Sequence, residues 1–482
     1  MASRGGSLGV VRSVWAGGSA GAKILFPFPG GAAHNRPRMR WQPLAWLAGL
    51  LGLPLAHYWL AAKIEPFYSS IYCFLWWFYI LAVDFAVWRL RGSSLLNDRP
   101  KEFLFLTLWS VPVWILFEAV NLRIQNWYYV MAPWSISWGV LFLAVAFGTV
   151  LPGIFETMEL VLALIERLAP GGRIASRPFT VTAWNLRAQW GLGLAMLALV
   201  LPFPDVCFCL TWGFAFFLTE PICYWARRAE PNPVGRSLLG QLARGDSSRL
   251  IALLVAGVVC GGLWEAWNFT ARTKWIYSVP FFDELKLGEM PVLGFLGFPP
   301  FALECYALVN FLSLLRDGRH WELSAAENGR RRGFSRRAAT GLALAVPLAS
   351  LACAGIATWY SIASFSIPVD FYFADDLGAA GVAALREHHA LEGDEFLRLK
   401  ERPAAIKPEL YARMRRLVAL SEWKGMGLRN ALALEALNIR CLEELAQAEP
   451  SELARQLQAR NPRVRLEEVR IWVRAARRLN PA

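Results

Sequence analysis

Long apolar stretches alternate with short polar loops over most of this 482-residue chain. Apolar runs of about 18 residues or more are typical of membrane-spanning helices. From residue 370 to residue 482 the pattern changes, and leucines recur at the spacing of short amphipathic helices. The pattern predicts an all-α polytopic membrane bundle with a small helical C-terminal domain. The nine predicted spans cover roughly 42–62, 67–88, 103–121, 134–155, 188–204, 206–226, 249–268, 292–315 and 339–362.

The membrane part contains an internal repeat. A Glu-x-x-Asn motif occurs at Glu118 and Asn121 and again at Glu265 and Asn268. Similar residues follow both motifs in the same order, so chance is a poor explanation. They are Trp127, Tyr128, Pro152 and Glu156 after the first motif, and Trp275, Tyr277, Pro300 and Glu304 after the second.

The repeat extends towards the N-terminus, where Trp76 and Asp84 match Trp212 and Glu220. Each copy then holds four spans, and an even number of spans inserts both copies the same way up. This predicts a pseudo-two-fold axis along the membrane normal, with the site where the halves meet. The predicted domains are membrane repeats at 41–168 and 188–317, a ninth span within 338–369 and the helical tail at 370–482.

The formal net charge of +13 is concentrated in alternate loops. Loops 89–102, 166–187, 227–249 and 316–337 carry 20 Lys and Arg, whereas the intervening loops carry 5. Basic loops stay in the cytoplasm. We therefore expect a bacterial inner-membrane protein with a cytoplasmic N-terminus and, after the ninth span, an extracytoplasmic C-terminal domain.

The segment before the first span has no sustained apolar core. Residues 1–40 are rich in Gly, Ala, Ser and Arg, which predicts a disordered leader, and Met39 is an alternative start. The eight cysteines include no Cys-x-x-Cys pair, and His388 and His389 have no patterned third ligand. We expect neither a metal site nor a cofactor.

Ionisable side chains at membrane depth are costly and mark working sites by default. Glutamates of both copies are therefore predicted to share general acid and base roles, and neighbouring polar and aromatic residues to contact the substrate. The alternative is that the carboxyl groups only join helices through hydrogen bonds. The predicted catalytic residues are Glu118, Glu265, Glu156 and Glu304. The predicted substrate-binding residues are Asn121, Asn268, Trp127, Tyr128, Trp275 and Tyr277.

Over residues 67–317 the order of these features resembles the membrane-embedded lycopene cyclases built from two tandem domains, and the related carotenoid hydratases. The resemblance implies proton-transfer chemistry without a redox cofactor on an isoprenoid or other lipophilic small molecule, or on a membrane lipid. The residues that carry it are Glu118, Trp127, Pro152 and Glu156, then Glu265, Trp275, Pro300 and Glu304.

The tail resembles a helix-hairpin-helix module over about 422–478. Lys424-Gly425-Met426-Gly427 stands at the glycine hairpin of that family. Hairpin amides of many such modules contact nucleic-acid phosphates. Nucleic acid is not expected here, because residues 370–482 carry 19 Lys and Arg against 17 Asp and Glu. We expect the tail to dock a protein partner or a second copy.

Two other functions remain open from the sequence. The chain is a non-catalytic scaffold or sensor if the carboxyl groups are structural and the tail is the working part. It is a proton or ion carrier if the same carboxyl groups form a relay across the membrane.

Overall fold

The structure, a computed structural model, describes residues 41–132, 136–227, 237–279, 281, 285–316, 319–323, 345–346, 349–350, 353, 361–365 and 367–479. Over these residues the regular secondary structure is helical apart from four short strands, and loops join the elements. The predicted leader and most of the predicted ninth span lie outside the described residues, so their predictions stay untested.

The elements follow the repeat. Between residues 41 and 168 they are α1 (Gln42–Ala62), α2 (Phe67–Arg91), α3 (Leu95–Asp98), α4 (Pro100–Ile124), β1 (Trp127–Val130), α5 (Ile136–Phe147) and α6 (Val150–Leu168). Between residues 183 and 315 they are α7 (Ala183–Val200), α8 (Pro204–Cys207), α9 (Phe214–Arg227), α10 (Leu238–Ala243), α11 (Ser248–Thr270), β2 (Lys274–Tyr277), β3 (Lys286–Leu287), β4 (Met290–Pro291) and α12 (Phe298–Leu315).

The C-terminal domain consists of short helices, as its leucine spacing predicts. They are α13 (Val369–Tyr372), α14 (Ala374–Glu387), α15 (Gly393–Leu397), α16 (Pro408–Glu422), α17 (Leu428–Glu435), α18 (Leu442–Gln447), α19 (Pro450–Gln458) and α20 (Leu466–Leu479). Single 3-10 turns cover Pro170–Gly172, Phe208–Thr211, Val292–Gly297 and Trp423–Gly425.

Seven stretches of the described chain are helical, long and apolar enough to cross a membrane. The prediction of an all-α polytopic membrane protein is therefore confirmed. A helix also forms near the predicted fifth span, but α7 is not among the seven, since Asn185, Arg187 and Gln189 make its first half polar. The seven are Gln42–Ala62, Phe67–Arg91, Pro100–Ile124, Gly139–Leu168, Pro204–Ala226, Ser248–Thr270 and Val292–Leu314.

The two halves meet where α6 packs against α11. Small side chains allow the backbones to approach: the Cys260 Sγ donates to the Gly153 carbonyl over 3.5 Å, and Thr157 Oγ1 lies 3.4 Å from the same sulfur. Close approach through small residues is the usual basis of helix packing in membranes, where apolar burial between helices adds little.

The strands β1 and β2 join the halves a second time, as an antiparallel pair. Trp127 lies opposite Tyr277, and Tyr129 lies opposite Trp275. In the repeat, Trp127 corresponds to Trp275 and Tyr129 to Tyr277. Exchanging equivalent residues converts the first pair into the second, so the strand pairing has the two-fold symmetry that the repeat predicts.

The copies differ after their strands. The first has the continuous apolar helix α5, whereas the second has the β3–β4 hairpin and the 3-10 turn Val292–Gly297. Gly288 has φ +67°, and Pro291 has no N–H to donate, so a helix is disfavoured there. The Gly- and Pro-rich entry to the eighth span is therefore an irregular segment.

The C-terminal domain has its own apolar core and packs on the end of the bundle that carries the strands. The Tyr128 hydroxyl donates to the Lys424 carbonyl over 3.2 Å, and Lys424 Nζ lies 2.7 Å from Glu289 Oε1. Buried Arg272 pairs with Asp394 of the tail over 2.6 Å and with Glu65 over 3.0 Å. The tail thus binds the chain's own membrane part.

The described flanks of the predicted ninth span lie at opposite ends of the bundle. Before it, Glu322 pairs with Arg249 over 2.9 Å among the basic loops. After it, Ile362 bridges Tyr129 beside the strands. The tail therefore packs at the end opposite the basic loops.

Candidate functional site: an aromatic cavity with two glutamate–tyrosine pairs

Alternate side chains of β1 and β2 face opposite ways, as the pleat of a strand requires. Trp127, Tyr129, Trp275 and Tyr277 line a cavity in the bundle. In the other direction, Tyr128 and its neighbours form a small apolar cluster with the tail. That cluster consists of Tyr128, Val130, Met131, Ile276 and Ile471.

Asn121 and Asn268 fix the start of each strand. The Asn121 amide donates to the Trp127 carbonyl over 2.9 Å, and its Oδ1 accepts from the Trp127 N–H over 3.3 Å. Asn268 makes the same two bonds with Trp275, each of 2.9 Å. Neither asparagine lines the cavity. Their geometry is that of residues that position the strands.

The cavity encloses about 220 Å³ and its walls are mainly apolar and aromatic. Both halves contribute, and Ile362 and Phe365, at and just after the end of the predicted ninth span, complete the wall. Cavities of this composition suit a lipophilic ligand oriented by a few polar groups. The aromatic residues that line it are Tyr72, Trp114, Trp127, Tyr129, Phe142, Phe147, Phe208, Trp212, Trp264, Trp275, Tyr277, Phe298, Phe301 and Phe365.

Glu118 is fully buried behind this wall and accepts four hydrogen bonds. Its Oε1 accepts from Trp114 Nε1 over 3.0 Å, from Trp127 Nε1 over 3.1 Å and from the Tyr129 hydroxyl over 2.6 Å. Its Oε2 accepts from the Ser361 hydroxyl over 3.4 Å. Several donors stabilise an ionised carboxylate, and here they also fix the orientation of three cavity-lining rings.

Glu265 occupies the equivalent place in the second half, but it has fewer partners. Its Oε1 accepts from the Tyr277 hydroxyl over 2.8 Å, and the indole of Trp275 lies beside the carboxyl group. Its Oε2 is buried without a hydrogen-bond partner among the described residues. The two halves therefore repeat the glutamate–tyrosine pair but not its surroundings.

The two tyrosines remain protonated donors. Burial raises the pKa of Tyr129 well above its usual value, and Glu118 raises it further. Burial and Glu265 act in the same way on the pKa of Tyr277. Both phenols can therefore donate to the glutamate behind them while their rings face the cavity.

The other two predicted catalytic glutamates are fully buried, and unlike Glu118 and Glu265 they accept no hydrogen bond from a cavity-lining tyrosine among the described residues. Glu304 Oε1 accepts from the Ala215 N–H over 2.9 Å, in the first turn of α9, where a negative charge is favourable. Glu156 lies near Asp84, and neither of its oxygens has a hydrogen-bond partner among the described residues. The structure thus brings together Glu118 and Glu265 with the strands, and places Glu156 and Glu304 elsewhere.

The matched pair Asp84 and Glu220 holds backbone. Asp84 accepts from the Leu96 N–H over 2.9 Å, and Glu220 accepts from the Leu239 N–H over 2.6 Å. In both halves the carboxyl group thereby fixes the short helix after the span. This role needs no substrate.

Two residues of the site, Tyr129 and Tyr72, were missed from the sequence. Tyr129 is the true equivalent of Tyr277, whereas Tyr128 contacts the tail. Tyr72 lines the cavity from α2, and Trp114 lines it from α4, one turn before Glu118. The signal for Tyr129 was available, because a strand alternates its faces and Tyr129 shares the face of Trp127.

Among the described residues, no cluster of His, Cys, Asp and Glu is arranged to hold a metal ion. Comparison with protein-family models, with curated proteins and with solved structures found no match. The fold and the cavity define the class of the chain: it is a polytopic helical integral membrane protein.

Proposed function

We propose that this integral membrane protein catalyses proton transfer on a lipophilic substrate held in the aromatic cavity, without a redox cofactor. The observation that carries the proposal is the duplicated pair: a buried glutamate behind a tyrosine whose ring lines one shared cavity. The resemblance to tandem-domain lycopene cyclases and carotenoid hydratases suggests an isoprenoid.

The chemistry needs only groups of this chain. A carboxyl group passes a proton to its tyrosine oxygen while the phenol proton moves to a carbon–carbon double bond of the substrate. The tryptophan faces around the cavity stabilise the carbocation that forms. Loss of a proton from another carbon to a carboxylate then completes an isomerisation or a ring closure, and the enzyme returns to its starting charge.

The apolar walls support this assignment in a second way. Water that entered freely would capture a carbocation, and the cavity is lined mainly by rings and aliphatic groups. A cyclase needs such a dry site throughout, whereas a hydratase admits one water molecule.

The test uses bacterial cells that accumulate lycopene, with the pigments extracted and separated. We expect a product that separates from lycopene, because cyclisation twists the terminal double bonds out of conjugation and shifts the absorption, whereas hydration of an isolated terminal double bond adds a polar hydroxyl group. The double variant E118Q/E265Q should lower the rate at least about 100-fold, the usual contribution of general acid–base catalysis. The control is E449Q, which changes a fully exposed carboxylate of the tail.

Unchanged pigment in cells that contain the folded protein would contradict an isoprenoid polyene as the substrate. Equal rates for the wild type and the double variant would contradict the glutamates as the proton-transfer groups.

A non-catalytic scaffold is the second candidate, favoured by the carboxyl groups that hold backbone at Asp84, Glu220 and Glu304. If the protein is a scaffold, E118Q/E265Q should lower the unfolding temperature and leave the pigments unchanged relative to the wild type.

A further inference from the structure

The repeat makes the two glutamates equivalent in sequence, but the residues around them break the symmetry. Trp114 stands four residues before Glu118 and donates to it over 3.0 Å. The residue four before Glu265 is Gly261, which has no side chain to donate. A Cβ at Gly261 would lie 2.2 Å from the Phe298 ring, so this site has no room for a donor.

A second difference between the halves lies in the wall of the cavity. Tyr72 stands four residues before Trp76, and its counterpart four before Trp212 is Phe208; both line the cavity. The Tyr72 ring packs edge-on against Trp275, with centroids 5.1 Å apart. The first half thus places a phenol ring against the tryptophan of the Glu265 half, whereas the second half has a phenyl ring at the equivalent position.

The third difference lies in the hydrogen bonds that the two glutamates accept. Glu118 accepts from four donors with both of its oxygens. Glu265 is only 3% exposed, and its Oε2 has no partner among the described residues. A buried carboxylate oxygen without a donor is costly, whereas a protonated carboxyl group removes the charge and supplies a donor of its own.

From this asymmetry, and on the basis of the proposed function, we propose that the two glutamates have separate tasks. Glu265 carries the exchangeable proton and, through Tyr277, is the acid of the site. Glu118 stays ionised as the fixed acceptor that positions Trp114, Trp127 and Tyr129. When Glu265 is protonated on Oε1, the direction of its 2.8 Å bond with Tyr277 is reversed, and the phenol O–H turns to the cavity. In the transfer, the Glu265 O–H bond breaks as the proton moves to the Tyr277 oxygen, and the phenol O–H bond breaks as its proton moves to the substrate.

The test is infrared difference spectroscopy of the purified full-length protein, in which a protonated carboxyl group shows a C=O stretch that shifts in deuterated water. We expect E265Q to lose one such band and E118Q to keep it. The E118Q protein should instead unfold at a lower temperature, because its four donors lose an anionic acceptor.

A matched pair of milder variants keeps the test decisive if E265Q does not fold. The Y277F change removes the phenol bonded to Glu265 and should shift the band, whereas Y129F, its counterpart at Glu118, should leave it in place. Loss of the band in E118Q, or an unchanged band in both E265Q and Y277F, overturns the proposal. The measurement needs no substrate, so failure of the pigment assay and failure of this assignment are separate results.

Discussion

Equivalent carboxyl groups take different roles in this protein because each finds different donors. Glu304 receives a backbone N–H of α9, Glu118 receives two indoles and a phenol, and Glu265 receives one phenol. At the scale of single residues, the type of side chain thus limits the roles that a residue can take, and its hydrogen-bond partners determine which role it has.

A further carboxyl group with an unusual environment lies at the junction of the tail and the bundle. Burial raises the pKa of Glu422 to about 8, and Asp394 and Glu392 raise it while Arg272 lowers it. The folded state therefore binds this proton more tightly than the unfolded chain does. The protonated Glu422 side chain stabilises the fold fully below the pKa of this group in the unfolded chain, near 4.5. This contribution is lost as the pH rises through about 8.

We therefore expect E422Q, which mimics the neutral form, to match the wild type at about pH 5 and to unfold at a higher temperature at about pH 9. Thermal unfolding in detergent across this range measures the difference.

The control variant E435Q should behave with the opposite sign. Hydrogen bonds from Arg413 lower the pKa of Glu435, so this group stabilises the fold above its unfolded pKa. The unfolding temperature of E435Q should match that of the wild type at low pH and fall below it as the pH rises. A difference in unfolding temperature between E422Q and the wild type that stays constant over this pH range would rule out the shifted pKa of Glu422.

At the scale of elements, the glycine hairpin of the tail is committed to the chain's own strands. Gly425 has φ +77°, and a Cβ there would lie 2.2 Å from Val130 Cγ1. The hairpin that contacts phosphates in the modules it resembles is thus packed against β1. A partner of the tail has to use another of its surfaces or displace this contact.

We expect G425A to loosen the tail from the strands, because the new methyl group overlaps Val130. Hydrogen–deuterium exchange should rise over residues 361–365, whose backbone bonds to Tyr129 and Ala132 join them to β1.

The matched control is G378A. Gly378 also has positive φ (+60°), but no atom lies within 4 Å of the new Cβ. That variant should bear only the local backbone strain and leave exchange at 361–365 unchanged. Equal exchange in both variants would mean that Gly425 does not hold the tail in place.

At the scale of the whole molecule, the charged loops and the tail mark opposite ends of the bundle. The basic loops lie at one end, where Arg249 pairs with Glu322, and the tail packs on the other, where Lys424 pairs with Glu289. If the basic loops lie in the cytoplasm, as the positive-inside rule predicts, we expect the cavity and the tail on the extracytoplasmic side.

Reporter fusions in a bacterial host test this orientation. Alkaline phosphatase, which needs disulfides and hence an oxidising compartment, should be active when fused after Leu479 and inactive when inserted in loop 166–187. A fluorescent protein at the same two sites should give the reverse pattern. Phosphatase activity at both sites, or only in the loop, would refute the predicted topology.

Much of the fold could be predicted from the sequence, since the span of an apolar helix depends on local composition. The pattern placed α1, α2, α4 and α11 within a few residues of their bounds. It placed a helix over 134–155, where the structure has α5 and α6 with a break at Gly148 and Thr149. Such breaks depend on packing between helices, which composition does not record.

The sequence by itself determined the membrane class, the duplication and the shared helix face of Glu118 with Asn121 and of Glu265 with Asn268, because these follow from hydropathy and spacing along one helix. Only the tertiary structure decided which glutamates bond to cavity-lining tyrosines, that Tyr129 rather than Tyr128 faces the cavity, and that Glu265 lacks the donors of Glu118. Those facts depend on side chains brought together from distant elements, and no local pattern encodes which of them will meet.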